Sequence, residues 1–139
     1  MNNIASKLLV VLFGFALISS VHASGKVSPT TVEGAKTVSA AEAKALFDKG
    51  AVFLDVRSDK DWGAGRIPDA VHIELKKKLN EGSMGKEVKK DQEVVVYCNG
   101  ESCLRSSKAS AMAVGWGYSK VYYFRDGFPA WKAAGYPVE

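Results

Sequence analysis

Two cysteines, Cys98 and Cys103, share one short segment, and Arg105 follows the second of them. A thiolate is a strong nucleophile, and a nearby guanidinium supplies fixed positive charge and a forked donor for an anion. Between the cysteines stand Asn99, Gly100, Glu101 and Ser102, and Leu104 precedes the arginine. The small residues Gly100 and Ser102 let the backbone curl with its N–H groups inward. A helix is expected to leave this loop at Arg105. An inward-facing curl next to the positive end of a helix makes an anion site and favours thiolate over thiol. Residues of these types suit group transfer through a covalent bond to sulfur. Cys98, Cys103 and Arg105 are therefore the expected catalytic residues, with Asn99, Gly100, Glu101, Ser102 and Leu104 as the expected substrate-binding lining. A buried structural thiol is the competing reading of Cys98, because free cysteine is among the most buried residue types. The strand–loop–helix setting, Gly100 and Arg105 favour the chemical one.

The elements that must position this loop are legible from apolar runs and breakers. Residues 93–97 (EVVVY) form the clearest buried strand, and Cys98 stands at its carboxyl end. Shorter strands are expected at 37–38, 51–56, 70–73 and 120–124. Ser39 and Glu42 form a capping box for a helix running to 49. Further helices are expected over 58–64, within the charged stretch 76–91, over 105–114 and over 129–134. Apolar strands alternating with helices imply an α/β fold with a mainly parallel sheet covered on both faces. Ligands in such sheets sit outside the carboxyl ends of the strands, which is where Cys98 falls.

Residues 1–23 read as a secretory signal: Lys7, then the apolar run LLVVLFGFALI, then Val21-His22-Ala23 for cleavage. The run is well short of the roughly 20 residues needed to span a bilayer. An exported protein, periplasmic or secreted, is expected, with no stable membrane insertion after cleavage. Residues 24–35 (SGKVSPTTVEGA) read as a flexible linker or loosely docked arm, and 36–139 as the domain. Cleavage removes Lys7 and no acid, so the formal charge falls from +4 to +3. Charges of both signs are interspersed, so nucleic acid is not expected as a partner. One histidine, His72, and two cysteines remain after cleavage, with no zinc-binding spacing, so no metal site is expected. No cofactor motif is present, and no cofactor is expected. Export places the two thiols in an oxidising compartment, where they can close into a disulfide.

Four segments in order resemble the rhodanese family: Phe53-Leu54-Asp55-Val56-Arg57, then 65–71 (GRIPDAV), then Val95-Val96-Tyr97-Cys98, then 126–131 (DGFPAW) with 135–138 (GYPV). The resemblance covers nearly all of 36–139. It implies a five-stranded sheet flanked by helices. It also implies that Cys98 takes sulfur from a small anionic donor such as thiosulfate, holds it as a persulfide and passes it to a thiol or protein acceptor. Asp55 and Arg57 match the family's Asp-x-Arg at a strand end, with a supporting ion pair at least as reasonable as a direct role.

The loop departs from that family in two ways. Six residues, Asn99 to Leu104, separate Cys98 from Arg105, where ordinary sulfurtransferase members have four and the phosphatase branch five. The extra thiol Cys103 resembles a subgroup with two cysteines in the loop. Cys98 is read as nucleophile and Cys103 as resolving thiol, with the reverse assignment open. Three functions compete: sulfurtransferase, oxyanion reductase or phosphatase on the same cradle, and a thiol/disulfide or sulfur-carrier module for a partner protein. Loop length and Glu101 disfavour the second. Glu101 is expected to face solvent, His72 to be structural, and Trp62, Trp116 and Trp131 to pack.

Overall fold

The computed structural model describes residues 25–139. The expected leader, residues 1–23, lies outside the described residues. Five strands and five helices alternate along the described chain. They are β1 (Ala35–Thr37), α1 (Ala40–Asp48), β2 (Val52–Asp55), α2 (Asp59–Ala64), β3 (Val71–His72), α3 (Glu81–Glu87), β4 (Val94–Tyr97), α4 (Arg105–Gly115), β5 (Val121–Phe124) and α5 (Gly127–Ala133). The strand order is β1-β5-β4-β2-β3, and every pairing is parallel. From β2 the chain goes to β3 on one side. From β4 it goes to β5 on the other. The reversal opens a crevice between the carboxyl ends of β2 and β4, the usual ligand position in such sheets.

The central strand explains where Cys98 points. All four residues of β4 are buried, and side chains alternate between faces. Val94, Val96 and Cys98 pack on one face against Ala109 and Ala113 of α4 and Met84 of α3. Val95 and Tyr97 pack on the other, with Leu46 of α1 and Phe128 and Trp131 of α5. Each fully buried valine contributes at most about 1.5–3 kcal/mol. This two-faced burial is why the strand reads as an unbroken apolar run rather than an alternating one.

Local signals account for most helix boundaries. Ser39 Oγ accepts from the Glu42 amide at 3.1 Å, and Glu42 Oε1 accepts from the Ser39 amide at 3.2 Å, as the capping box requires. The charged stretch 76–91 yields turns and then α3. That helix starts at a second reciprocal cap: Ser83 N–H donates to Asn80 Oδ1, and Asn80 N–H to Ser83 Oγ. The first strand lies earlier than the expected 37–38, because it pairs with β5 from Ala35 opposite Val121 to Thr37 opposite Tyr123. The last helix begins at Gly127 rather than 129. Pro129 sits in its first turn, where a missing N–H costs nothing.

Residues 25–34, read from sequence as part of a flexible linker or loosely docked arm, form no helix or strand and run against the domain. Ser28 is buried. Its N–H and its hydroxyl both donate to the Glu101 carbonyl at 2.7 Å. Arg125 donates to the Ser28 carbonyl, and the Tyr123 hydroxyl donates to that of Pro29. The anchoring is by backbone carbonyls, which no side-chain periodicity reveals.

Candidate active site

The loop after β4 carries a Cys98–Cys103 disulfide, with the two Cα atoms 6.4 Å apart. The five-residue separation needs a tight reversal. The Cys103 amide donates to the Gly100 carbonyl at 3.0 Å, closing a turn with Gly100 at φ 111°. The two sulfurs are not equivalent. Cys98 is fully buried among apolar side chains, whereas Cys103 is half-buried.

A cleft of about 430 Å³ opens beside the loop. Asn99, Ser102, Cys103 and Leu104 line it from the loop, and Arg105 and Lys108 from α4. Lys26 of the arm, Asp61, Leu75 and Lys76 complete it. Four cations thus face one carboxylate, a field that concentrates small anions. The expected binding residues divide accordingly. Asn99, Ser102 and Leu104 line the cleft. Gly100 is buried and shapes the turn. Glu101 is turned toward Arg125, its carboxylate 3.4 Å from that guanidinium and mostly in solvent. Its carboxylate is not part of the cleft lining, and its backbone carbonyl is held by Ser28 of the arm.

Asp55 and Arg57 form a buried support beneath the loop. Arg57 Nε and Nη2 both donate to the Asp55 carboxylate, the shortest bond being 2.7 Å, and both side chains are almost wholly buried. Burial alone lowers the Arg57 pKa, but the hydrogen bonds and charge of Asp55 outweigh it, and the guanidinium titrates above its ordinary value. The guanidinium lies over the Phe128 ring, 4.5 Å from its centroid. Its remaining donors reach the Gly65 carbonyl and Asn99 Oδ1 at 3.2 Å. Asn99 Nδ2 in turn donates to Asp61 at 2.9 Å. The chain Asp55–Arg57–Asn99–Asp61 thereby ties β2 and α2 to the residue after Cys98. Neither Arg57 nor Asp55 is among the residues that line the cleft. Burial, with the Asp55 carboxylate adding to it, pushes the Tyr97 phenol well above its ordinary pKa. Tyr97 stays neutral and accepts a hydrogen bond from the Ile67 amide.

Asp61 gives a pH prediction. Its hydrogen bond from Asn99 is the main cause holding its pKa below the ordinary 3.8, partly opposed by burial and reinforced by Ser58, Arg57 and Arg105. A carboxyl with a depressed folded pKa stabilises the fold above its unfolded value and loses that contribution as pH falls through the lower folded value. The Asn99–Asp61 link is therefore expected to hold at every pH above 3.8. NMR of the Asn99 side-chain amide checks this, and a titration midpoint at or above 3.8 would contradict it.

Gly127, part of the matching segment 126–131, bears directly on the shape of the loop. It adopts φ 63°, a conformation that side chains resist. A Cβ there would fall on the Cys98 carbonyl and lie 2.9 Å from the Gly100 nitrogen. The absence of a side chain lets the Phe128 amide donate to the Cys98 carbonyl at 2.9 Å. Gly127→Ala is expected to displace the loop and lower activity by on the order of a hundredfold, the scale of a 1 Å misplacement. Steady-state kinetics beside a thermal melt of the variant read the effect.

His72 and Trp62 prove to be a stacked pair, ring centroids 4.7 Å apart, and Arg66 lies over the indole ring, 4.5 Å from its centroid. His72 Nε2 pairs with the Arg57 carbonyl at 2.9 Å. Trp131 is fully buried and packs edge-on against Phe47 and Phe53.

Comparison with known proteins agrees with this architecture. The rhodanese-like domain family model matches residues 39–134. A thiosulfate sulfurtransferase GlpE of Pseudomonas syringae pv. syringae is 35% identical over 105 residues, covering 75% of this chain and 92% of that protein. Its counterpart in Pseudomonas savastanoi pv. phaseolicola is 37% identical over 108 residues, with the same coverage. The crystal structure of the BH2092 protein from Bacillus halodurans superposes with a TM-score of 0.67 at 26% identity, covering 76% of this chain and 77% of that one. With its five-stranded parallel sheet and the loop cysteine at the end of β4, the chain belongs to the rhodanese-like domain family.

Proposed function

We propose that the protein is a thiosulfate sulfurtransferase-like enzyme that works through a persulfide on Cys98. The chain is an enzyme of the rhodanese kind, as its likeness to proteins named thiosulfate sulfurtransferase supports. The observation that carries the reading is a strand-end cysteine in a loop that opens on a cleft with Arg105, Lys108, Lys76 and Lys26. Reduction of the disulfide must come first, because the bonded sulfur of Cys98 has no thiolate to attack with. The Cys98 thiolate then attacks the outer sulfur of a thiosulfate-like dianion. An S–S bond forms on Cys98, the donor's own S–S bond breaks, and sulfite leaves with the electron pair. A thiophilic acceptor, a small thiol or a protein thiol, takes the outer sulfur and restores the thiolate. Arg105 and the lysines hold the dianion and the departing sulfite charge.

The intact mass of the reduced protein before and after thiosulfate tests this. A gain of one sulfur atom is expected. No gain would remove the thiosulfate reading. The disulfide favours one second reading, a thiol/disulfide or sulfur-carrier module acting on a partner protein. A mixed disulfide trapped with a partner in a Cys103→Ser variant, without sulfur gain from thiosulfate, is the result that selects it. Export to a periplasmic or extracellular compartment is part of the proposal, supported by the leader-like residues 1–23 and by the paired cysteines.

A further inference from the structure

We propose that the oxidised protein captures hydrosulfide at Cys103, using its own disulfide as the oxidant, so that sulfide enters as persulfide without thiosulfate. This rests on the sulfurtransferase reading, since the captured sulfur leaves through the same acceptor step. The asymmetry of the disulfide carries the inference. Exchange at a disulfide requires the attacker to reach one sulfur in line with the bond to the other, so access decides which is attacked. Cys98 is fully buried, packed with Val96, Ala109 and Ala113. Cys103 is half-buried and is the cysteine that lines the cleft. An attacker from solvent therefore meets the Cys103 sulfur, and Cys98 is the leaving group.

The cleft selects the attacker. Lys26, Lys76, Arg105 and Lys108 line the cleft together with Cys103, against the single carboxylate of Asp61. This field raises the local concentration of anions. Leu75 and Leu104 share that lining with the half-buried Cys103 and favour a small nucleophile over a bulky one. Hydrosulfide is the smallest anionic sulfur nucleophile. It also leaves a transferable sulfur, whereas an organic thiol leaves only a mixed disulfide.

The step balances. The sulfur of hydrosulfide forms a bond to Cys103 Sγ, the Cys98–Cys103 bond breaks, and Cys98 departs as thiolate with the bonding pair. The proton stays on the new persulfide. The incoming sulfur loses two electrons and the disulfide gains two. Transfer of the outer sulfur to a thiophile leaves a dithiol, and repeated turnover then requires a partner of the protein-disulfide class to reoxidise it. The disulfide thus becomes a reactant, and the loop has two entries for sulfur: Cys98 when reduced and Cys103 when oxidised.

The test treats the purified oxidised protein with stoichiometric sodium sulfide at low salt, then quenches by alkylation at a series of short times. The expected result is a gain of one sulfur atom, first located on Cys103, with Cys98 alkylated as a free thiol. Lys76→Glu with Lys108→Glu is expected to slow capture by about three- to tenfold, the difference vanishing at high salt. Opening of the disulfide with no retained sulfur overturns the proposal. So does first appearance of sulfur on Cys98, or a capture rate indifferent to the charge reversal. A parallel sample, reduced and given thiosulfate, separates the two ideas. Sulfur gain there with none from hydrosulfide sinks only hydrosulfide capture, and no gain in either sample sinks both.

Discussion

Cys98→Ser is expected to lower sulfur transfer from thiosulfate by roughly a thousandfold or more, the scale seen when a covalent nucleophile is removed. A hydroxyl at this position is a far weaker attacker on sulfur than a thiolate and cannot hold the transferred atom as a persulfide. The fold should survive, at a cost that can be set out. Cys98 lies fully buried among Val94, Val96 and Ala109, so the serine hydroxyl loses water with few partners to replace it. That costs about 1–3 kcal/mol. Loss of the short disulfide-closed loop costs about 2 kcal/mol more in the oxidised state. The measurement is sulfur-transfer kinetics beside a thermal melt, with Cys103→Ser as the partner variant. Both variants lose the disulfide, so both lose that stability. Only Cys98→Ser should lose transfer from thiosulfate. Full activity in Cys98→Ser with loss in Cys103→Ser would reverse the two roles.

Arg57→Ala should cost about 3–5 kcal/mol of stability, because it strands a buried carboxylate. Asp55 has no exposed surface, and Arg57 supplies its charge partner through three side-chain hydrogen bonds. The same substitution removes donors from the Gly65 carbonyl and from Asn99, and a cation from the Phe128 ring. The loop after β4 therefore loses its tie to β2 together with its support. A fall in melting temperature on the order of 10–20 °C is expected for a domain of this size. Asp55→Asn with Arg57→Met, which removes both charges while keeping bulk, should recover much of the stability. If Arg57→Ala melts within a few degrees of the parent, the pair is not the buried support described here.

The alternation of short apolar strands with helices set the α/β class from sequence, and the capping box at Ser39 placed α1. The run of valines before Cys98 could belong only to a strand buried on both faces, and a strand end in a parallel sheet is where ligands sit. The expectation that Cys98, Cys103 and Arg105 carry the chemistry followed from that placement. Less was legible where a partner distant in sequence decides the outcome. The first strand took its register from β5, and α3 was drawn to start at an Asn80–Ser83 cap within a segment that reads as a run of charges. Glu101, placed by sequence in the loop lining but facing solvent, has its carbonyl fixed by the arm at Ser28 and its carboxylate near Arg125.

By itself the sequence determined which residue types share the loop, that a strand delivers Cys98 and that a helix leaves at Arg105. These depend on local period, propensity and spacing, which are properties of contiguous residues. Only the tertiary structure decided that Cys98 is covered while Cys103 faces the cleft, that Gly127 must lack a side chain for the loop to close, and that Lys26 and Lys76 join Arg105 around one cavity. Access, close approach and summed charge depend on which segments meet in space. Those meetings come from burying two faces of one sheet at once, and no single stretch of the chain encodes them.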